Sequence, residues 1–315
     1  MNPHVSIILP YYEGLRWLPR AVESVRQQAE LSWELIIVDD GSHSSPDTVV
    51  DSFCDERIRL FHMAHAGKGA ALNFGFNHAR AEVVCFLDQD DLMLHRRLAV
   101  QFAAIEATPH ADGVYSDYER RFDDGSWIDR FESRSYSPRL ALQALATGRG
   151  LFTMQTLMLR KSVVERAGGF SEDPSLVGLD DLEFFVRLIL ADTALVYIPG
   201  VVQCWVQHSR NFSRSEAFQA ARLRCLSCLT ELAHDHPVLR GYMRGFEFHS
   251  RYMRGIHFLE TRRPEQAVAE FQKALVMRPG CLNAYYLLLK SLFQFAAKPW
   301  GTAGASKPGK PKQGA

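Results

Sequence analysis

A doubly wound α/β fold, followed by a small all-helical region, is what the sequence predicts, and three observations predict it. Short β-rich apolar runs at residues 5–9, 35–38 and 83–87 each end in polar residues, as strands buried on both faces of a parallel sheet do. Helical patterns at about 18–28, 47–54 and 70–79 fall between and beside those runs, giving strand-helix alternation with right-handed crossovers. From residue 213 to about 299 the pattern becomes almost wholly helical, which marks a second structural unit.

The elements follow in order. Gly113-Val114-Tyr115-Ser116-Asp117 reads as a further strand, Asp124-Gly125 as a turn, and Glu183 to Leu190 as a helix entered through Gly168-Gly169-Phe170 and a loop. Gly255, Phe258, Ala267, Phe271, Ala274 and Pro279 stand at the spacing of one tetratricopeptide repeat over about 248–281, with a capping helix over 283–295. One such repeat cannot bury its own core, so it packs on the rest of the chain or serves as a docking surface for a protein partner or a second copy. Residues 301–315 hold Gly, Pro, Lys and Ala with no large apolar side chain, the composition of a disordered basic tail. The expected organisation is a catalytic domain over 1–212, a helical region over 213–297 and the tail over 298–315.

Composition narrows the function classes. The chain has 315 residues and 47% hydrophobic side chains, enough for one large core or two smaller ones. Lys plus Arg and Asp plus Glu are 36 each, so no global field points to nucleic acid. The apolar run after Met1-Asn2-Pro3-His4 is too short for a signal peptide or a membrane span, and six scattered cysteines do not form a disulfide framework. A reduced, cytoplasmic protein is expected. Lysines 298, 307, 310 and 312 suit either simple solubility or a peripheral contact with an anionic membrane.

Open α/β sheets bind ligands beyond the carboxyl ends of their strands, and those positions are acidic here. Asp39-Asp40-Gly41-Ser42 follows the second strand, where carboxylates can accept from a base or ribose, or simply make an Asx turn. Asp88-Gln89-Asp90-Asp91 puts three carboxylates within four residues. They repel one another unless a cation or donors sit among them, and oxygen ligands select Mg²⁺ or Mn²⁺ bridging to a diphosphate; a solvated turn is the plain alternative. Asp180-Asp181-Leu182-Glu183 opens a helix, either to suit its dipole or to supply a general base for an acceptor hydroxyl. His208, beside Arg210 and Asn211 in a polar loop, is placed to complete a metal shell or hold a phosphate. Gly67-Lys68-Gly69 reads as a turn entering a helix, with a direct phosphate contact as the alternative, and Cys225 and Cys228 read as packing residues.

In this order, these elements resemble the family 2 glycosyltransferases with the A-type fold, over residues 4–213. The stretches that carry the resemblance are Val5-Ser6-Ile7-Ile8-Leu9-Pro10-Tyr11-Tyr12, Glu34-Leu35-Ile36-Ile37-Val38-Asp39-Asp40-Gly41-Ser42, Phe86-Leu87-Asp88-Gln89-Asp90-Asp91 and Asp181-Leu182-Glu183-Phe184-Phe185-Val186-Arg187-Leu188. The resemblance implies a Rossmann-like, metal-dependent, inverting transferase of nucleoside-diphosphate sugars. Asp39 would then contact the base, Asp88 the ribose and Asp90 the Mn²⁺ or Mg²⁺ on the diphosphate, with Pro10 and Tyr12 lining the nucleotide pocket. Asp181 would be the catalytic base and His208 a metal or phosphate contact; Asp180 stands where the family usually has Glu. The donor would be a nucleotide sugar, UDP-linked by family habit, and the acceptor a surface polysaccharide or lipid-linked glycan, with a protein acceptor as the alternative. Two other classes compete: a catalytically silent scaffold, and a nucleotidyltransferase. The latter would carry a basic phosphate-gripping loop where this chain has Tyr11-Tyr12-Glu13-Gly14.

Overall fold

Residues Val5–Tyr11 form the first strand, β1, because Val5, Ile7, Ile8 and Leu9 can all be buried only if both faces of a sheet are covered. The computed structural model describes residues 2–296. The expected tail over 298–315 lies outside them.

The elements run β1, α1 (Leu18–Arg26), β2 (Trp33–Asp39), α2 (Asp47–Asp51), β3 (Ile58–His62), α3 (Lys68–Asn77), β4 (Val83–Phe86), β5 (Leu92–Met93) and α4 (Arg97–Ala107). There follow β6 (Gly113–Phe122), β7 (Trp127–Phe131), α5 (Pro138–Ala146), a 3-10 turn (Met154–Thr156), β8 (Met158–Arg160), α6 (Lys161–Arg166), α7 (Asp180–Leu190) and β9 (Leu195–Gln207). The helices α8 (Glu216–Asp235), α9 (Pro237–Arg240), α10 (Met243–Glu260), α11 (Pro264–Met277) and α12 (Leu282–Ala296) complete the described chain.

The sheet order is β3-β2-β1-β4-β8-β6-β9-β5, with β7 on β6. β3, β2, β1 and β4 are parallel, as the alternating pattern predicts. Beyond β4 the sheet turns mixed: β8 runs antiparallel to β4 and to β6, while β9 runs parallel to β6 and antiparallel to β5. The expectation of a parallel sheet therefore holds for the first half and is corrected for the second, where the β6–β7 hairpin and the short strands β5 and β8 pair antiparallel beside the parallel β6–β9 pair. Apolar cores lie on both faces. Ile8, Ile36, Val38 and Phe86 pack with α3, α5, α7 and α8 on one side, and Ile7, Leu9, Leu35 and Ile37 with α1 and α4 on the other.

The chain divides into two compact units at Ser250/Arg251, inside α10, rather than at the change of pattern near residue 213. In the second unit Phe258, Ala267 and Phe271 form a small core with Leu287 and Leu288 of α12. Four of the positions expected to face the helix pair, Phe258, Ala267, Phe271 and Ala274, are buried. The helices are present; the tetratricopeptide reading of them rests on the spacing alone. All six cysteines are unpaired, and Cys225 is a core residue. Among the described residues no helix is long and apolar enough to cross a membrane.

Candidate functional site

The carboxyl ends of β1, β2 and β4 bring the acidic turns together. Pro10 sits two residues beyond Ile8, the last β1 residue paired with β4, so its missing N–H deprives that side of no ladder bond. Its neighbour Tyr12 is exposed and stacks on His65, ring centroids 4.5 Å apart. Gln89 fastens this strand end to the acidic turn: its Oε1 accepts from Tyr12 N at 2.9 Å and its Nε2 donates to Tyr12 O at 2.9 Å.

Asp39 closes β2 and is buried. Oδ1 accepts from Ser42 N at 3.0 Å and Oδ2 meets His62 Nδ1 at 3.0 Å. That contact lifts the His62 pKa above its ordinary value, the Asp39 hydrogen bond outweighing partial burial. Asp40 receives Ala66 N and Gly67 N at 2.7 and 2.9 Å, which fixes the entry to α3.

That entry delivers Lys68. Its Nζ stands 2.7 Å from Asp88 Oδ1 and 3.0 Å from Oδ2, and Gln155, from the 3-10 turn, also donates to Oδ2. Burial opposes the Lys68 charge more than any other single influence, yet Asp88, Asp180 and Asp181 together hold its pKa above the ordinary value. Burial in turn pushes the Asp88 carboxyl up, with Lys68 opposing and Asp90 adding to the rise. The sequence reads Lys68 as part of a turn or a phosphate contact, not as a partner of Asp88, and gives no sign of Gln155. A lysine between two glycines at a helix start was a visible signal for the first; nothing local marked the second.

Asp90 and His208 meet across 118 positions of sequence, Oδ2 to Nε2, at 2.9 Å. β9 makes this possible: Asp91, buried, accepts from Val206 N at 2.9 Å, so the strand is clamped to the acidic turn just before His208. Burial and the neighbouring Asp90 and Asp88 raise the Asp91 pKa well above its ordinary value. The His208 ring stacks on Trp17 at 4.2 Å, and its Nδ1 accepts from Arg210 N at 3.2 Å. In the neutral ring that leaves the proton on Nε2, donated to Asp90. Among the described residues no three His, Cys, Asp or Glu side chains gather into a ready-made metal site. The donor types still fit a divalent cation: the Asp90 carboxylate and the His208 imidazole lie 2.9 Å apart, the ring ligating once Nε2 gives up its proton. Beside them opens a cleft of about 450 Å³ lined by Arg16, Trp17, Asp123, His208 and Arg210.

Asp180 and Asp181 start α7. Asp180 is buried; Oδ1 accepts from Gly178 N at 3.0 Å, while Oδ2 has no hydrogen-bond partner among the described residues. Asp181 is only part-buried, and burial followed by repulsion from Asp180 pushes its pKa up to about 7, with Lys68 restraining the rise. Electrostatically, then, Lys68 links the Asp88 turn to the Asp181 carboxyl.

A sheet ordered β3-β2-β1-β4 with acidic turns at its carboxyl ends and an added mixed half defines the A-type glycosyltransferase fold. Solved structures share it: S. aureus TarS 1-349 in complex with UDP-GlcNAc (TM-score 0.61, 16% identity, 94% of this chain and 89% of that one) and the mannosyltransferase PcManGT from Pyrobaculum calidifontis in complex with GDP-Man and Mn²⁺ (TM-score 0.57, 20% identity, 95% and 82%). Residues 6–168 match the family model Glycosyl transferase family 2, and the chain belongs to that family. An uncharacterized glycosyltransferase of Rickettsia bellii is 31% identical over 135 residues, 42% of this chain but 19% of that protein. The Escherichia coli UDP-Glc:alpha-D-GlcNAc-diphosphoundecaprenol beta-1,3-glucosyltransferase WfgD is 31% identical over 116 residues, 36% of this chain and 46% of that one. The match thus spans less than half the length of either relative.

Proposed function

We propose that the protein is an inverting glycosyltransferase that moves a sugar from a uridine-diphosphate donor to a hydroxyl of a glycan or lipid-linked glycan, with Asp181 as general base. The observation that carries this reading is the Asp181 carboxyl, part-buried, with its pKa near 7. A base poised at the working pH combines a usable deprotonated fraction with real affinity for the proton. Family membership and the name of the WfgD relative support the reaction class, the uridine donor and the lipid-linked acceptor.

In this reading the donor lies along the ends of β1, β2 and β4. Each Asp39 oxygen already accepts one hydrogen bond and keeps a lone pair for a base N–H. Pro10 and Tyr12 flank the nucleotide, and Asp88 accepts from the ribose hydroxyls while Lys68 limits its charge. Asp90 and His208 would hold Mn²⁺ or Mg²⁺, which when bound neutralises charge on the departing diphosphate. Arg210 adds positive charge along the adjoining cleft, where Arg16 is already paired with Asp123. Asp181 removes the acceptor proton as the hydroxyl oxygen attacks the anomeric carbon opposite the leaving diphosphate, a single displacement that inverts the centre. Residues 1–212 would carry this machinery, and the helical region after them an accessory role.

The test is the melting temperature with UDP, GDP, dTDP and CMP, each with and without Mn²⁺, since a ligand bound to the native state raises it. A metal-dependent rise with UDP that Asp90→Ala abolishes is expected, with UDP rather than pyrophosphate released on turnover. No rise with any nucleotide would favour a silent scaffold.

A further inference from the structure

Arg97, at the start of α4, carries its guanidinium into the core, where 1% of the residue is exposed. Among the described residues its side chain bonds only to neutral acceptors: Nε donates to Gln101 Oε1 at 3.1 Å, Nη1 to Phe86 O at 3.4 Å and Nη2 to Leu157 O at 3.1 Å. An arginine keeps its charge inside proteins, and burial works against that charge and pushes its pKa down. An apolar side chain of similar length would fill the space without that cost. The worth of the fork therefore lies in what it holds.

It holds the place where two strands part. β4 and β8 pair through Val83 with Arg160, Val84 with Leu159 and Cys85 with Met158, and the next pair in that register, Phe86 with Leu157, is not made. Leu157 N turns instead to Met154 O at 3.1 Å, closing the 3-10 turn. The carbonyls of Phe86 and Leu157 lose each other's strand as a source of donors, and the two arms of the guanidinium supply them. Gln101, one turn along α4 and fully buried, repeats the device: its Nε2 donates to Thr156 O at 2.7 Å and to Ser116 Oγ at 3.3 Å.

In the β4–β8 register Gln155 stands opposite Asp88, two residues beyond the bridged pair on each chain segment. The brace thus sets the separation across which Gln155 Nε2 donates to Asp88 Oδ2. We propose that Arg97, with Gln101, is a positioning residue for the donor site: it fixes the Gln155 turn against the Asp88 turn, and so the direction in which the Asp88 carboxylate meets the ribose. Only that last step rests on the donor site proposed above.

Nuclear magnetic resonance and calorimetry together test it. The Gln155 side-chain amide, identified in ¹⁵N-correlated spectra by its loss in Gln155→Ala, should show one proton shifted by its bond to a carboxylate. Arg97→Met, and the milder Gln101→Met, which keeps nearly the same shape, should each move that signal to the position of a solvated amide. The Kd for UDP with Mn²⁺ should rise about tenfold in Arg97→Met and in Gln155→Ala. The double variant R97M/Q155A should bind no more weakly than Arg97→Met, because both changes remove the same contact. A residue that only packs would lower the melting temperature with the amide signal in place, and its effect on Kd would add to that of Gln155→Ala; either result would overturn the proposal. A signal that moves as expected in a protein that binds no UDP would remove the donor site and leave Arg97 as the brace of the Asp88–Gln155 pair.

Discussion

The Lys68 ammonium lies 2.7 Å from Asp88 Oδ1, and it is the cation around which the site's carboxylates are arranged. Asp88, Asp180 and Asp181 all act on it, and it acts back on Asp88 and Asp181. Removing the charge in Lys68→Met leaves those carboxyls to repel one another. The Asp181 pKa should then rise further, because the influence restraining it is gone. The acid limb of the kcat/KM profile should move to higher pH, with activity at neutral pH falling about tenfold or more. Thermal stability should fall by about 1–2 kcal/mol, a modest figure because both partners keep some solvent contact. A profile that stays in place would show that Lys68 does not act on the base.

Asp181→Asn should separate activity from stability. Transfer should drop by about 10²–10⁴-fold, the usual worth of a general base, while UDP binding persists. Stability should change with the opposite sign. The folded pKa near 7 lies above the ordinary carboxylate value, so between about 4 and 7 the native state binds more protons than the unfolded one. Wild-type stability therefore declines as pH rises through that window. The amide carries no charge to desolvate and should gain about 1–2 kcal/mol at neutral pH, with a flatter melting profile. Loss of stability on this substitution would assign Asp181 a structural role.

His208→Ala removes the partner of Asp90 and the ring stacked on Trp17. The Mn²⁺ concentration needed for half-maximal activity should rise about 10–100-fold. UDP binding without metal should hardly change, since the ring touches none of Asp39, Asp88 or Tyr12 through any observed hydrogen bond. An unchanged metal requirement would remove His208 from the metal site.

The acidic turns were legible because each follows an unbroken apolar run, as Asp39 follows Leu35–Val38 and Asp88 follows Val83–Leu87. β3 was not, because Arg59 and His62 interrupt its apolar residues at the sheet edge, where all but one of its residues are only half-buried. The mixed half of the sheet was equally hidden: β5 and β8 have two and three residues, too few to show a period. Lys68 stood in view yet looked like a turn, because its partners Asp88 and Asp181 are distant in sequence. Gln155 is the extreme case. A polar residue in a 3-10 turn becomes part of the site only when β8 is laid beside β4.

Gly69 tests how the Lys68 position is built. A Cβ at Gly69 would lie 1.9 Å from the Ser171 carbonyl oxygen, backbone that cannot rotate aside. Sliding the loop away is also blocked. Asn73, one turn along α3, accepts from Phe170 N at 2.8 Å and donates to Phe170 O at 2.9 Å, which ties that loop to the helix. Gly69→Ala must therefore break the Asn73 clasp or tilt the start of α3. It should cost about 2–3 kcal/mol of stability. If α3 tilts, the Lys68 ammonium leaves Asp88, and the pH profile should shift upward as in Lys68→Met. If the loop yields instead, stability falls while the profile holds, and Lys68 is fixed by Asp40 and the Gly67 turn alone. Measuring both quantities on the one variant distinguishes these outcomes.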